Sequence, residues 1–167
     1  MAEDSFGKAI ATLFLILGIA FFPLLLMQNN VDSMSRAAAE EAVQDFADNA
    51  RSTGYITQAD YEVLRAKLVA TGYSYHVQML HRSKTVVPDS DMDEGYRTSY
   101  KAYNFEDIVA YWEENDGVYP MKNGDFFQIL MTSSTPTKAS SMLGMLYGNS
   151  GTIQSIPAGG MVGNQKN

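Results

Sequence analysis

Residues 9–27 read AIATLFLILGIAFFPLLLM, an apolar run with one hydroxyl, Thr12, and no charge. A helix over this run is roughly 28 Å long at about 1.5 Å per residue, close to the hydrocarbon thickness of a bilayer. A core helix of a soluble domain needs one apolar stripe, whereas a membrane span is apolar on every side. The run also exceeds the roughly 7–15 apolar residues of a signal-peptide core. The preceding MAEDSFGK holds one Lys against two acids, and the small-residue site Ala37–Ala39 lies ten residues past the run. We therefore expect an uncleaved transmembrane segment over 9–27, after a short tail, 1–8. Lys8 and the α-amine flank one side, and Arg36 is the first cation on the other. That asymmetry leans towards an inside N-terminus and an extracytoplasmic C-terminal domain.

Gly18 and Pro23 interrupt the run. Pro23 removes one backbone hydrogen bond and can kink the helix. In a packed bundle such loosening lets helices adjust to their neighbours. Gly7 and Ala11 form a small-xxx-small pair of the kind found at helix contacts.

The helix is expected to continue over 28–53. Val31, Met34, Ala38, Ala42, Phe46 and Ala50 recur at helical spacing with acids between them, and Gly54 is a natural stop. Residues 54–167 then read as a small α+β domain with a Gly-rich C-terminal tail. Thr57 and Asp60 approximate a capping box, Tyr61, Leu64 and Leu68 line one helix face, and Gly72 ends that helix. YSYHVQMLHR (73–82) reads as a strand, 83–100 as polar and turn-rich, and Asn104 as the cap of a short helix. DFFQILMTSS reads as a strand, 136–147 as a helix, and TIQSI and GGMVG as edge strands. The expected fold is α+β: a long N-terminal helix, half transmembrane and half amphipathic, packed on a small antiparallel sheet with short helices.

Composition narrows the function classes. The net charge of −7 argues against nucleic acid and against a polybasic membrane patch. With no cysteine, disulfides, thiol nucleophiles and Cys-ligated zinc are excluded.

The layout resembles the type IV pilin-like superfamily, and within it the TadE-like pseudopilins and related Gram-positive pilin-like proteins. The resemblance rests on an apolar helix beginning within ten residues of the N-terminus, on Gly18 and Pro23 inside it, and on its Ala-rich amphipathic continuation. ARSTGYITQADYEVLRAKLVATGYSYHVQM (50–79), GDFFQILM (124–131) and GGMVGN (159–164) add to it. The chain departs from that family in two places. Gly7 is followed by Lys8, and no acid lies in the apolar run, where position 12 is Thr.

The resemblance implies a structural subunit that assembles through its N-terminal helix into a surface filament or a secretion or conjugation apparatus. Its partners would be copies of itself, membrane lipid before assembly, and the secretion or pilus assembly machinery. The contact residues it suggests in the membrane half are Phe6, Ala11, Phe14, Leu17, Gly18 and Phe21, followed by Pro23 and Leu25. Beyond the membrane they are Met34, Ala38 and Phe46. The alternative is a non-polymerising, membrane-anchored extracytoplasmic binding or scaffolding protein.

Few residues suggest chemistry, and we expect neither an enzyme nor a bound cofactor. His76 and His81 fall on opposite faces of one strand, so they do not share a metal. Glu113 and Glu114 diverge on a helix and read as a solvated face. No nucleophile-elbow pattern occurs. Asp89, Asp91 and Asp93 place three carboxylates in one loop, as calcium loops do. The EF-hand pattern then fails: Gly95 comes one place late, and Tyr100 stands where the closing Glu belongs. A solvated acidic loop is the favoured reading, with calcium as the alternative. The rings from Tyr96 to Trp112 read either as core, which explains at least half of them, or as a contact surface.

Overall fold

The computed structural model describes residues 2–88, 95–138, 141 and 155–163. Among the described residues the fold is α+β, with one long N-terminal helix, two small antiparallel sheets and short helices. The chain divides into two compact units, Met1–Arg36 with Pro136–Thr152, and Ala37–Thr135 with Ile153–Asn167.

Helix α1 runs over Ala2–Thr53 with Pro23 inside it. Gly54, at φ 77°, ends it and donates its N–H to the Ala50 carbonyl. In the second unit the buried stripe of α1 is Ala39, Ala42, Val43, Phe46, Ala47 and Ala50. The expected stripe through Val31, Met34 and Ala38 is therefore corrected, since all three are exposed. The run Ala37–Ala38–Ala39 lets either phase satisfy a helical period. Packing against a sheet selects the phase that also buries Val43 and Ala47.

Helix α2 covers Gln58–Ala70. The Thr57 hydroxyl accepts the Asp60 N–H at 3.0 Å and donates to Asp60 Oδ2 at 2.6 Å. Asp60 thus returns its partner's bond through the hydroxyl. Gly72 follows the helix at φ 79°, and Leu64 and Leu68 are buried.

The larger sheet has the order β3-β2-β5-β6, antiparallel throughout. Its strands are β2 (Tyr75–Pro88), β3 (Tyr96–Asn104), β5 (Phe126–Ser133) and β6 (Ser155–Met161). The stretch 83–100 is mostly hairpin rather than loop. Its strand residues look polar because, from Lys84 to Pro88 and from Tyr96 to Ala102, every side chain is exposed. Alternation of polarity reports a strand only when one face is buried. β6 is one edge strand that runs through Pro157 and Ala158, where TIQSI and GGMVG were expected as separate edge strands. The helix expected over 136–147 falls largely outside the described residues.

The smaller sheet pairs β1 (Tyr55–Thr57) with β4 (Val118–Pro120). Strands of three residues are too short for any period to show. The pair is held from behind by Trp112 of α3 (Phe105–Glu114), whose Nε1–H donates to the Ile56 carbonyl at 3.1 Å. Asp107 caps α3 by accepting the Asn104 N–H at 2.8 Å. Tyr61 of α2 meets both Phe105 and Trp112, with ring centroids 5.5 and 5.7 Å away. These two rings therefore belong to the core, while Tyr96 and Tyr100 are exposed.

Candidate functional site

The first candidate is the apolar part of α1. It is the one helix among the described residues that is long and apolar enough to cross a membrane, and none of its most apolar stretch is buried. Phe6, Phe14, Leu17, Ile19 and Phe22 are all more than half exposed. An apolar surface of this extent in water is far beyond what a soluble monomer tolerates.

The contact residues read from sequence separate into three groups. Phe6, Phe14, Leu17, Met34, Ala11, Gly18, Pro23 and Ala38 are exposed. Phe21 and Leu25 are half-buried. Phe46 is buried and lies 6.3 Å, centroid to centroid, from Phe127 of β5. It is a core residue of its own chain and has no surface to offer another copy. Gly18 and Gly7 have open space where a side chain would stand. Asp89, Asp91 and Asp93 lie outside the described residues.

The second candidate is a buried polar cluster that the sequence did not reveal. β2 alternates so that Met79 and His81 face the core while His76 is exposed. His81 Nδ1 lies 2.8 Å from the Tyr119 hydroxyl, and Nε2 lies 2.9 Å from Asp125 Oδ2. Asp125 also accepts the Lys84 N–H on Oδ1 and the Lys122 N–H on Oδ2, each at 2.8 Å. Tyr103 stacks on the imidazole at 5.6 Å, and Tyr119 meets it edge-on at 5.4 Å.

The bonding pattern places one proton. Asp125 only accepts, so His81 Nε2 carries a proton and donates it to the carboxylate, while Nδ1 and the Tyr119 hydroxyl share the second bond. Burial pushes the Tyr119 phenol well above its usual range, and the nearby Tyr103, Asp107 and Asp125 add to the shift. It therefore keeps its proton. Burial by itself raises the Asp125 carboxyl, but the Lys122 and Lys84 N–H groups and the His81 side chain outweigh it and hold the group below the usual range. Both ring nitrogens are engaged, so the cluster ties β2, β4 and the turn before β5 together. One cue was available: a His alternating with Met79 and Val77 occupies a core position and must find partners there. Its partners lie 38 and 44 residues away, and no local pattern points to them.

No family model, no curated protein and no solved structure matches this chain.

The geometry alone therefore ranks the two candidates. The polar cluster is closed on itself: each ring nitrogen and both carboxylate oxygens already have a partner within the chain. The apolar half of α1 is exposed over most of its surface. Lipid or protein must cover it.

Proposed function

We propose that the chain is a membrane-held structural subunit that assembles with copies of itself through the apolar half of α1, in the manner of pilin-like proteins. The observation that carries this reading is the division of labour along one helix. Ala39–Ala50 build the core of a folded domain, whereas most apolar side chains of Phe6–Met27 are exposed, with only Phe21 and Leu25 half-buried. A tether needs only to span. The early, Gly- and Pro-interrupted run and its continuation into a folded domain also match the layout of that superfamily. In this reading the N-terminus stays inside, the domain lies outside, and lipid surrounds the helix until neighbours replace it.

The test is a sheared cell-surface fraction viewed by electron microscopy, with mass spectrometry to identify the subunit. Leu17→Lys should abolish filaments, and Leu17→Ile should keep them. Filaments unaffected by Leu17→Lys, or a wild-type chain found only as a monomer in membranes, would replace this reading with that of a non-polymerising tether.

A further inference from the structure

The exposed side chains of α1 follow a heptad. Stepping alternately four and three residues from Phe6 leads to Ile10, Leu13, Leu17 and Ala20. The same steps continue to Leu24, Met27, Val31 and Met34. All nine positions are apolar and all nine are exposed. The stripe lies wholly within the unit that contains Met1–Arg36.

Inside the run 9–27 every face is apolar, so any seam would pass there. The discriminating positions lie beyond it. Phe6 is the one aromatic residue of MAEDSFGK, and it falls in phase, whereas Met1 does not. Past the run the chain reads QNNVDSMSR, whose only two apolar residues are Val31 and Met34. Both fall in phase, and Met34 is 73% exposed. Lipid tails account for Met27 but not for a methionine standing among Asn30, Ser33 and Ser35.

Most charges stay off the stripe. With Ile10, Leu17, Leu24 and Val31 at a, and Phe6, Leu13, Ala20, Met27 and Met34 at d, Lys8 and Arg36 fall at f and Asp4 and Asp32 at b, while Glu3, one step before Phe6, falls at a. No charge from Phe6 to Met34 stands at a, d, e or g. A pair of identical helices lying in parallel would therefore meet no like charge from Phe6 to Met34, and the stripe ends at Glu3. Nine side chains of this kind present on the order of 800 Å², the per-partner area of a standard specific interface. A strict 3.5-residue period further implies a left-handed supercoil, the commoner packing of transmembrane helices.

We infer that two copies of this chain pair in parallel and in register along the Phe6–Met34 seam, inside the membrane and for two turns beyond it. The occupant of this face is a second copy, because the seam is uncharged, self-complementary, and carried by helices that enter one membrane in one orientation. The inference deepens the assembly reading above and rests on α1 being membrane-held, but it names a register that filament formation as such does not require.

The chain has no cysteine, so single cysteines can be placed without background. The full-length protein is oxidised with copper phenanthroline in its native membranes and run on a non-reducing gel. A disulfide between the same residue of two copies needs Cα atoms within about 7 Å. Met34→Cys and Val31→Cys, with Met27→Cys as a third position, should give homodimer at least ten-fold above Ser33→Cys and Asn29→Cys. Equal yields on and off the seam, no homodimer at any of the three seam positions, or adducts of another mass would overturn the inference. Filaments in the sheared fraction without seam cross-links would overturn the register alone. Seam cross-links without filaments would overturn the filament reading and leave the pair.

Discussion

His81 Nε2 sits 2.9 Å from Asp125 Oδ2, with both side chains almost wholly withdrawn from water. The contact joins β2 to the turn before β5, and two backbone N–H groups complete the carboxylate's bonding. Asp125→Ala would leave three donors without their acceptor, His81 Nε2–H buried and the Lys84 and Lys122 N–H groups part-buried. An unsatisfied buried donor costs about 1–3 kcal/mol, so the loss should reach about 3 kcal/mol, read as a fall in denaturation midpoint. Tyr119→Phe removes one O–H donor and should cost about 1 kcal/mol.

The same carboxylate gives stability a pH dependence of known sign. Its folded pKa is lowered, so its contribution is complete above the unfolded value of about 4 and is lost as pH falls through the folded value. The stability difference between wild type and Asp125→Asn should therefore hold steady from pH 7 to about pH 5 and shrink below about pH 4. A difference that grew on acidification would contradict the assignment.

Phe46 and Met34 test which face of α1 serves which purpose. Phe46→Ala opens the core beside Phe127 and should cost about 3–5 kcal/mol in thermal unfolding. Met34→Ala removes an exposed side chain and should leave the folding of the domain within about 0.5 kcal/mol. Its effect belongs in self-association. Equal thermal losses for the two variants would show that both faces pack within one chain.

Gly159 has φ 145°, and a Cβ there would come within 2.3 Å of the Phe127 carbonyl oxygen and 2.7 Å of Gln128 Cα. Those are backbone atoms of the adjoining strand and cannot move aside without breaking the ladder. Gly159→Ala should detach β6 and cost about 2–3 kcal/mol. Amide exchange at Ile129 and Met131 should speed up with it.

How much of this was legible in the sequence follows from the range of each signal. The apolar helix over 9–27, the length of α1, the Thr57 and Gly72 limits of α2, the Asn104 start of α3 and the strand at Phe126–Ser133 were all readable. Each rests on hydrophobic period, capping and turn chemistry, which act over a few residues. These local rules place helices and strands but do not say what faces what.

Tertiary structure decided the rest. It rotated the buried stripe of α1 from Ala38 to Ala39 and drew Phe46 onto Phe127. It paired Tyr55–Thr57 with Val118–Pro120, and it extended an exposed hairpin through a stretch that reads as loop. It also brought His81, Tyr119 and Asp125 together. Each of these depends on a partner tens of residues away in sequence, and one local pattern is compatible with several such partners. The apolar run needed no partner to be recognised, because water rejects it whatever it meets. Which of its faces are left uncovered became readable only once the structure showed which residues α1 already buries within its own chain.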